Sequence, residues 1–126
     1  MSTLDIITGG AGFIGSHLAE ALINQGRKVL VIDNFSTGGF HNLEALKNCK
    51  ELEVEEKDVT DQRSLLTLFK GADRVFHLAA LADIVPSIER PSEYFRTNVE
   101  GTLSVLEACK DAQINKIIYA ASSSCY

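Results

Sequence analysis

Nine residues near the start of the chain, Thr8-Gly9-Gly10-Ala11-Gly12-Phe13-Ile14-Gly15-Ser16, set glycines at three-residue intervals between an apolar run and an amphipathic stretch. Such a turn lets a strand pass sharply into a helix whose N-terminus can hold the pyrophosphate of a dinucleotide. Gly9 allows the tight exit from the strand, and Gly12 lets backbone approach phosphate oxygens where a Cβ would collide. Gly15 is expected to let the helix settle against a sheet. The spacing G-x-x-G-x-x-G is one residue wider than the usual G-x-G-x-x-G fingerprint.

Strand-like and helix-like segments alternate along the whole chain. Residues 4–8, 29–32, 52–56, 74–78 and 116–121 read as short strands, the third more polar and therefore nearer an edge. A helix over residues 13–25 puts Phe13, Ile14, Leu18, Ala21 and Leu22 on one face, with Gly26 at its C-terminal cap. A short helix is expected over residues 42–47. Asp61 caps a helix carrying Leu65, Leu66 and Phe69, and Gly71 follows it. Pro91 opens a long helix bearing Tyr94, Phe95, Val99, Leu103, Leu106 and Ala108. Strands separated by helices predict a parallel sheet with right-handed crossovers and helices on both faces. The fold class is a Rossmann-type, doubly wound α/β domain over residues 1–126, with strand order 3-2-1-4-5. Ligands in such sheets bind beyond the carboxyl ends of the strands. Four of those ends carry suggestive chemistry, at residues 9–15, 33–38, 78–82 and 122–124.

Composition narrows the partners. A net charge of −5 disfavours nucleic acid and anionic membrane. No apolar run approaches the roughly 20 residues needed to span a bilayer. The start of the chain shows no basic n-region or cleavage site, so a cytoplasmic location is expected. Cys49, Cys109 and Cys125 are odd in number and lack C-x-x-C spacing, which suggests reduced thiols rather than disulfides or a metal site.

At these motifs the chain resembles the extended short-chain dehydrogenase/reductase family, and within it the nucleotide-sugar epimerases and dehydratases. The family's T-G-x-x-G-x-x-G turn stands at residues 8–15 and accounts for the widened spacing. Its strand-two loop is Asp33-Asn34-Phe35-Ser36-Thr37-Gly38, and its Asp-hydrophobic pair is Asp58-Val59. Its H-x-A-A segment is His77-Leu78-Ala79-Ala80, its helix signature runs over residues 94–102, and its serine cluster is Ala121-Ser122-Ser123-Ser124-Cys125-Tyr126.

The resemblance implies NAD as cofactor. Phe13 and Ile14 would offer backbone N–H groups to the pyrophosphate, and the loop of residues 33–38 would cover the adenosine. Asp58 would meet the adenine amino group with Val59 beside the ring. Leu78, Ala79 and Ala80 would floor the second ribose and phosphate, with Thr97 nearby. Asp33 also has an independent argument. It ends the second strand 24 residues after Gly9, where a carboxylate accepts both ribose hydroxyls. A 2′-phosphate there meets like charge, at roughly 4 kcal/mol for an effective dielectric near 20, or about a thousandfold in affinity. No arginine follows Asp33, so NADP is disfavoured. His77 reads as a structural histidine and Asn98 as a tie between helix and sheet.

For chemistry, the family pattern assigns Ser122 to the sugar hydroxyl being oxidised, with Ser123 the neighbouring alternative and Ser124 a weaker one. The implied activity is 4-epimerisation of a UDP-sugar through a transient 4-keto sugar. A 4,6-dehydratase is the alternative, although that branch adds an acid beside the serine where this chain has Ser123 and Ser124. The family's Tyr-x-x-x-Lys pair has no match here, because Tyr94 is followed four residues on by Asn98 and Tyr119 by Ser123. Tyr126 aligns with the tyrosine that closes the serine motif. The chain is therefore expected to be the N-terminal, NAD-binding part of such an enzyme, its substrate domain absent, or a non-catalytic NAD-binding fragment. Family members also form homodimers through the long helix.

Overall fold

The computed structural model describes residues 3–125, with side chains through residue 124; Tyr126 and the Cys125 side chain lie outside them. Five parallel strands form one sheet in the order β3-β2-β1-β4-β5. They are β1 (Leu4–Thr8), β2 (Lys28–Asp33), β3 (Leu52–Glu56), β4 (Arg74–His77) and β5 (Lys116–Tyr119). Helices α1 (Phe13–Asn24), α2 (Gln62–Leu68), α3 (Ile84–Glu89), α4 (Pro91–Phe95) and α5 (Gly101–Asp111) make the crossovers, with a 3₁₀ helix at Phe40–Leu46. The expected architecture and strand order are those observed.

Period-two alternation sorts the core into two layers. Ile6, Leu30, Ile32 and Val75 face α2 and α5, packing with Leu65, Phe69, Val105 and Ala108. Ile7, Val29 and Val31 face the other way, toward Ala19 and Leu22 of α1 and Leu43 and Leu46 of the 3₁₀ helix. The edge strand β3 alternates glutamates with apolar residues because one of its sides stays wet. At the end of α1, Gly26 adopts φ +82°. Its N–H donates to Ile23 O and that of Arg27 to Leu22 O, which closes a Schellman cap. Asp61 caps α2 as expected, its carboxylate accepting from Ser64 N at 3.3 Å.

Two helix faces differ from the sequence reading. In α1 the buried residues are Gly15, Ser16, Ala19 and Leu22, whereas Phe13 and Ile14 are 74% and 69% exposed and Ala21 is exposed. The helix starts beyond the carboxyl end of the central strand β1, so its first apolar pair has no strand beneath it. The long helix runs from α4 through a π-helical turn, Arg96–Glu100, into α5. Its sheet-facing side is Gly101, Ser104, Val105, Ala108 and Cys109. Phe95, Val99, Leu103 and Leu106 stay exposed. Small residues win the inner face because the helix lies close, and a Cβ on Gly101 would sit 2.7 Å from Val59 Cγ2. The short α3, which buries none of its residues, is additional to the elements read from the sequence. Cys49 and Cys109 are free thiols, and burial pushes that of Cys109 up to about 11.

The amino end of the sheet is closed by charge. Asp5, wholly buried in β1, accepts from Arg74 Nε and Nη2 at 2.9 and 2.7 Å. It also accepts from Arg27 Nη2 at 2.6 Å and from Arg27 Nε. One carboxylate thus joins β1, β4 and the α1–β2 connection. Burial alone would raise the Asp5 pKa, but hydrogen bonds from Arg74 and Arg27 outweigh it and hold the group below its ordinary 3.8. The folded pKa is depressed, so the stabilisation is full above the unfolded value and fades as pH falls through the folded one. Asp5→Ala is expected to destabilise the protein by about 3 kcal/mol at pH 7, with two partly buried guanidinium groups left facing each other. Urea unfolding of both proteins at pH 7 and pH 3 checks this, and the gap between them narrows in acid. A gap independent of pH would remove the ionic explanation.

Candidate functional site

At the carboxyl end of the sheet, β1 runs into the glycine turn. Gly9 sits at φ +74°, and a Cβ there would lie 2.7 Å from the backbone nitrogen of Ala79. The strand-one turn is therefore seated on the segment that follows β4. A Cβ on Gly15 would strike Gly9 O, so its clearance is against the turn's own backbone rather than the sheet. The sheet contact belongs to Gly10, where a Cβ would stand 2.6 Å from Val31 Cγ2. Gly12 differs: its Cβ would meet only Gly9 O, at 3.3 Å. Its outer side is open.

Gly12 is the N-cap of α1, and neither a side-chain cap nor an acidic residue occupies that helix's first turn. The positive end of the helix dipole and its first-turn amides are left to an external acceptor. Asp33, buried at the end of β2, accepts the Ala11 N–H on Oδ2 at 2.9 Å and the Phe35 N–H on Oδ1 at 2.8 Å. Ala11 O takes Gly39 N–H at 3.1 Å and Asn42 Nδ2 at 2.8 Å. The loop after β2 closes on the turn so tightly that a Cβ on Gly38 would sit 2.7 Å from Ala11 O.

A cleft opens between these parts. Gly9 and Gly12 border it from the turn, Asp33, Asn34, Ser36, Thr37 and Gly38 from the β2 loop, and Val59 from the end of β3. Leu78, Ala79, Ala80 and Thr97 complete the opposite wall. Ile32, Lys57 and Leu81 join them and were not singled out in the sequence. Lys57 could have been found from its place one residue before Asp58; the other two read only as strand and loop residues. Phe35 turns away, with φ +58° and its ring stacked on Phe40 at 4.1 Å. Phe13, Ile14 and Gly15 lie in the first turn of α1 beside the cleft rather than on its wall.

Asp58 stands just outside that wall. Its Oδ2 accepts from Asn34 Nδ2 at 3.0 Å, and its Oδ1 from Thr60 N and Oγ1 at 2.9 and 2.7 Å. Burial works against its charge, but the Thr60 bonds, Asn34 and the nearby Arg96 hold its pKa below the ordinary range. A second cavity shares Leu78, Ala79 and Ala80 with the first and is bordered by His77, Asn98, Thr102, Tyr119 and Ala120. His77 bridges Thr8 and Thr102, and Asn98 exchanges two 2.9 Å hydrogen bonds with the backbone of Leu81. His77 is the structural histidine expected, whereas Asn98 ties the helix to the segment after β4 rather than to the sheet itself. Ser122 and Ser123 are exposed beyond β5, outside both cavities, and the Ser122 hydroxyl bonds that of Ser124.

Residues 6–126 match the model of the NAD dependent epimerase/dehydratase family. The chain belongs to that family. Among curated relatives, human UDP-glucose 4-epimerase is 37% identical over 96% of this chain and 38% of its own length. Among solved structures, the UDP-N-acetylglucosamine 4-epimerase of Methanobrevibacter ruminantium M1, in complex with UDP-N-acetylmuramic acid, superposes with a TM-score of 0.91 at 40% identity. It is matched over 99% of this chain and 39% of its own. UDP-glucose 4-epimerase from Brucella ovis, in complex with NAD, gives 0.88 at 35%, over 99% of this chain and 37% of its own. The chain thus spans about 38% of the length of the curated relative.

Two glycines with positive φ separate clash from strain. Gly26 has nothing within 4 Å of an added Cβ, whereas Gly9 faces the Ala79 backbone. Gly26→Ala should cost about 1 kcal/mol, and Gly9→Ala at least twice that. Thermal unfolding of the two variants measures the difference, and equal losses would mean that the turn is not seated on the β4 end.

Proposed function

We propose that this chain is the NAD-binding part of a UDP-sugar 4-epimerase. The carrying observation is the uncapped N-terminus of α1 opening on the same cleft as a buried, oriented Asp33. The residues fit the cofactor. Gly12 leaves open backbone for a pyrophosphate, which the amides of Phe13, Ile14 and Gly15 would bind. Each Asp33 oxygen accepts one backbone N–H and keeps a lone pair, enough for two ribose hydroxyls. Asn34, Ser36, Thr37 and Gly38 would border the adenosine, with Phe35 holding the loop through Phe40. Asp58, kept ionised, is an acceptor for the adenine amino group, beside Val59. Leu78, Ala79, Ala80 and Thr97 would line the path toward the second cavity.

When bound, NAD would supply reversible hydride transfer at the sugar carbon being inverted. Ser122 is the residue proposed to hold the sugar hydroxyl, with Ser123 beside it. A 4,6-dehydratase is the less favoured reading, because no acidic residue stands next to Ser122. The exposed stripe Phe95, Val99, Leu103 and Leu106 is the proposed homodimer face, and the cytoplasm the proposed location.

NAD is expected to raise the melting temperature strongly and NADP little. At a hundred times its dissociation constant, a ligand adds about 2.7 kcal/mol. Equal shifts for the two nucleotides would take Asp33 out of its assigned role. Gly12→Leu should abolish the NAD shift, and unchanged binding would refute the phosphate-turn reading. The 126-residue chain is expected to bind NAD without turning over UDP-galactose. Turnover by the purified chain would show that no residue outside it is needed.

A further inference from the structure

We propose that His77 is a positioning residue for the cofactor cleft: fixed as the neutral Nε2–H tautomer, it links two anchors that hold the segment from Leu78 to Leu81 in place. The link to NAD rests on the cofactor reading above; the tautomer and the anchoring do not.

The assignment follows from counting protons. Thr8 and His77 are partners in the β1–β4 register. The Thr8 hydroxyl accepts the N–H of Ala79 at 3.2 Å and shares that of Leu78, which lies 3.1 Å from Oγ1 and 3.0 Å from Thr8 O. A hydroxyl has two lone pairs and one proton. With both lone pairs engaged, Thr8 must donate to His77 Nδ1, 2.7 Å away. The far end gives the same direction independently. Thr102 Oγ1 donates its only proton to Asn98 O at 2.6 Å. Toward His77 Nε2, at 2.9 Å, it can only accept. Nδ1 is therefore bare and Nε2 carries the hydrogen.

The chain is one-way: backbone amides to Thr8, Thr8 to His77, His77 to Thr102, Thr102 to Asn98. An imidazolium would point a second donor at the Thr8 proton, and Thr8 Oγ1 could receive it only by giving up Ala79 or its share of the Leu78 N–H. Burial pushes His77 below its ordinary value in the same sense. The cavity beside the ring is bordered by Asn98, Thr102 and Tyr119, with no charged side chain among its described lining residues.

Both ends of the wall segment are held by this chain. Thr8 fixes the amides of Leu78 and Ala79, and Ala79 N is the atom that leaves Gly9 no room for a Cβ. Asn98 grips Leu81 through its N–H and its carbonyl. His77 and Thr102 set the distance between these anchors, and so between the glycine turn and the opposite wall of the cleft.

The experiment has a wild-type arm and a variant arm. In ¹⁵N-labelled protein, His77 should show a protonated Nε2 and an unprotonated Nδ1, and should titrate below the ordinary histidine range. Because this arm uses wild-type protein, it stands whatever the stability of any variant. Thr102→Val should speed amide exchange at Ala79 without cofactor and weaken NAD binding about tenfold; Thr102→Ser should restore both. A protonated Nδ1, ordinary titration of His77, or unchanged exchange in Thr102→Val overturns the proposal. So does wild-type affinity for NAD in Thr102→Val when its exchange is faster. If the wild-type protein binds no NAD, the cofactor reading falls, while tautomer and exchange still decide the role of His77.

Discussion

The carboxylate of Asp33 is the constraint on which the carboxyl end of this sheet depends. It is buried, so it must be satisfied, and the groups that satisfy it are the amides of Ala11 and Phe35. The first orients the glycine turn, and the second starts the loop after β2. Ala11 O is taken from the other side by Gly39 and Asn42. With the peptide groups flanking Ala11 fixed in this way, the amides left facing outward are those of the helix's first turn. A single charge thus builds two sides of the cleft, the glycine turn and the loop after β2.

The two ends of the sheet solve the problem of buried polarity differently. At the amino end, Asp5 is neutralised by two guanidinium groups, an arrangement whose strength lies in charge and which tolerates small displacements. At the carboxyl end, beside the Asp33 carboxylate, Thr8, His77 and Thr102 use neutral groups that each pass on one proton, with the Asn98 carbonyl as last acceptor. Neutral chains attract less, but they specify direction and distance more sharply. The stiffer geometry sits where the molecule needs placement, and the ionic clamp where it needs cohesion.

Much of this was legible in the sequence, for reasons that can be named. Strands β1 and β2 are mostly apolar because both their faces are covered, and the glutamates of β3 report its edge position. The turn at residues 8–15 and Asp33 are written as local patterns, so the cleft could be placed from them. The inner face of α1 could not, because Phe13 and Ile14 look like core residues and only the sheet's limited extent leaves them outside. Gly10 and Gly15 were confounded for a similar reason: spacing says that glycine is required, not which atom requires it. Asn98 was legible as a tie only through its motif. The chain through His77 joins residues 69 and 25 positions apart and has no local signature.

The π-helical turn at Arg96–Glu100 acts as a phase adjustment. Each residue of an α-helix advances about 100°, so one extra residue in a turn rotates everything beyond it by that angle relative to everything before. Thr97 and Asn98 lie within the widened turn, one at the cleft and the other on Leu81, while Thr102 beyond it reaches His77. In an uninterrupted α-helix, these three could not keep their present bearings together. The long helix behaves as a vernier: its wide turn brings two sets of contacts, cut to different angular scales, into coincidence on one sheet.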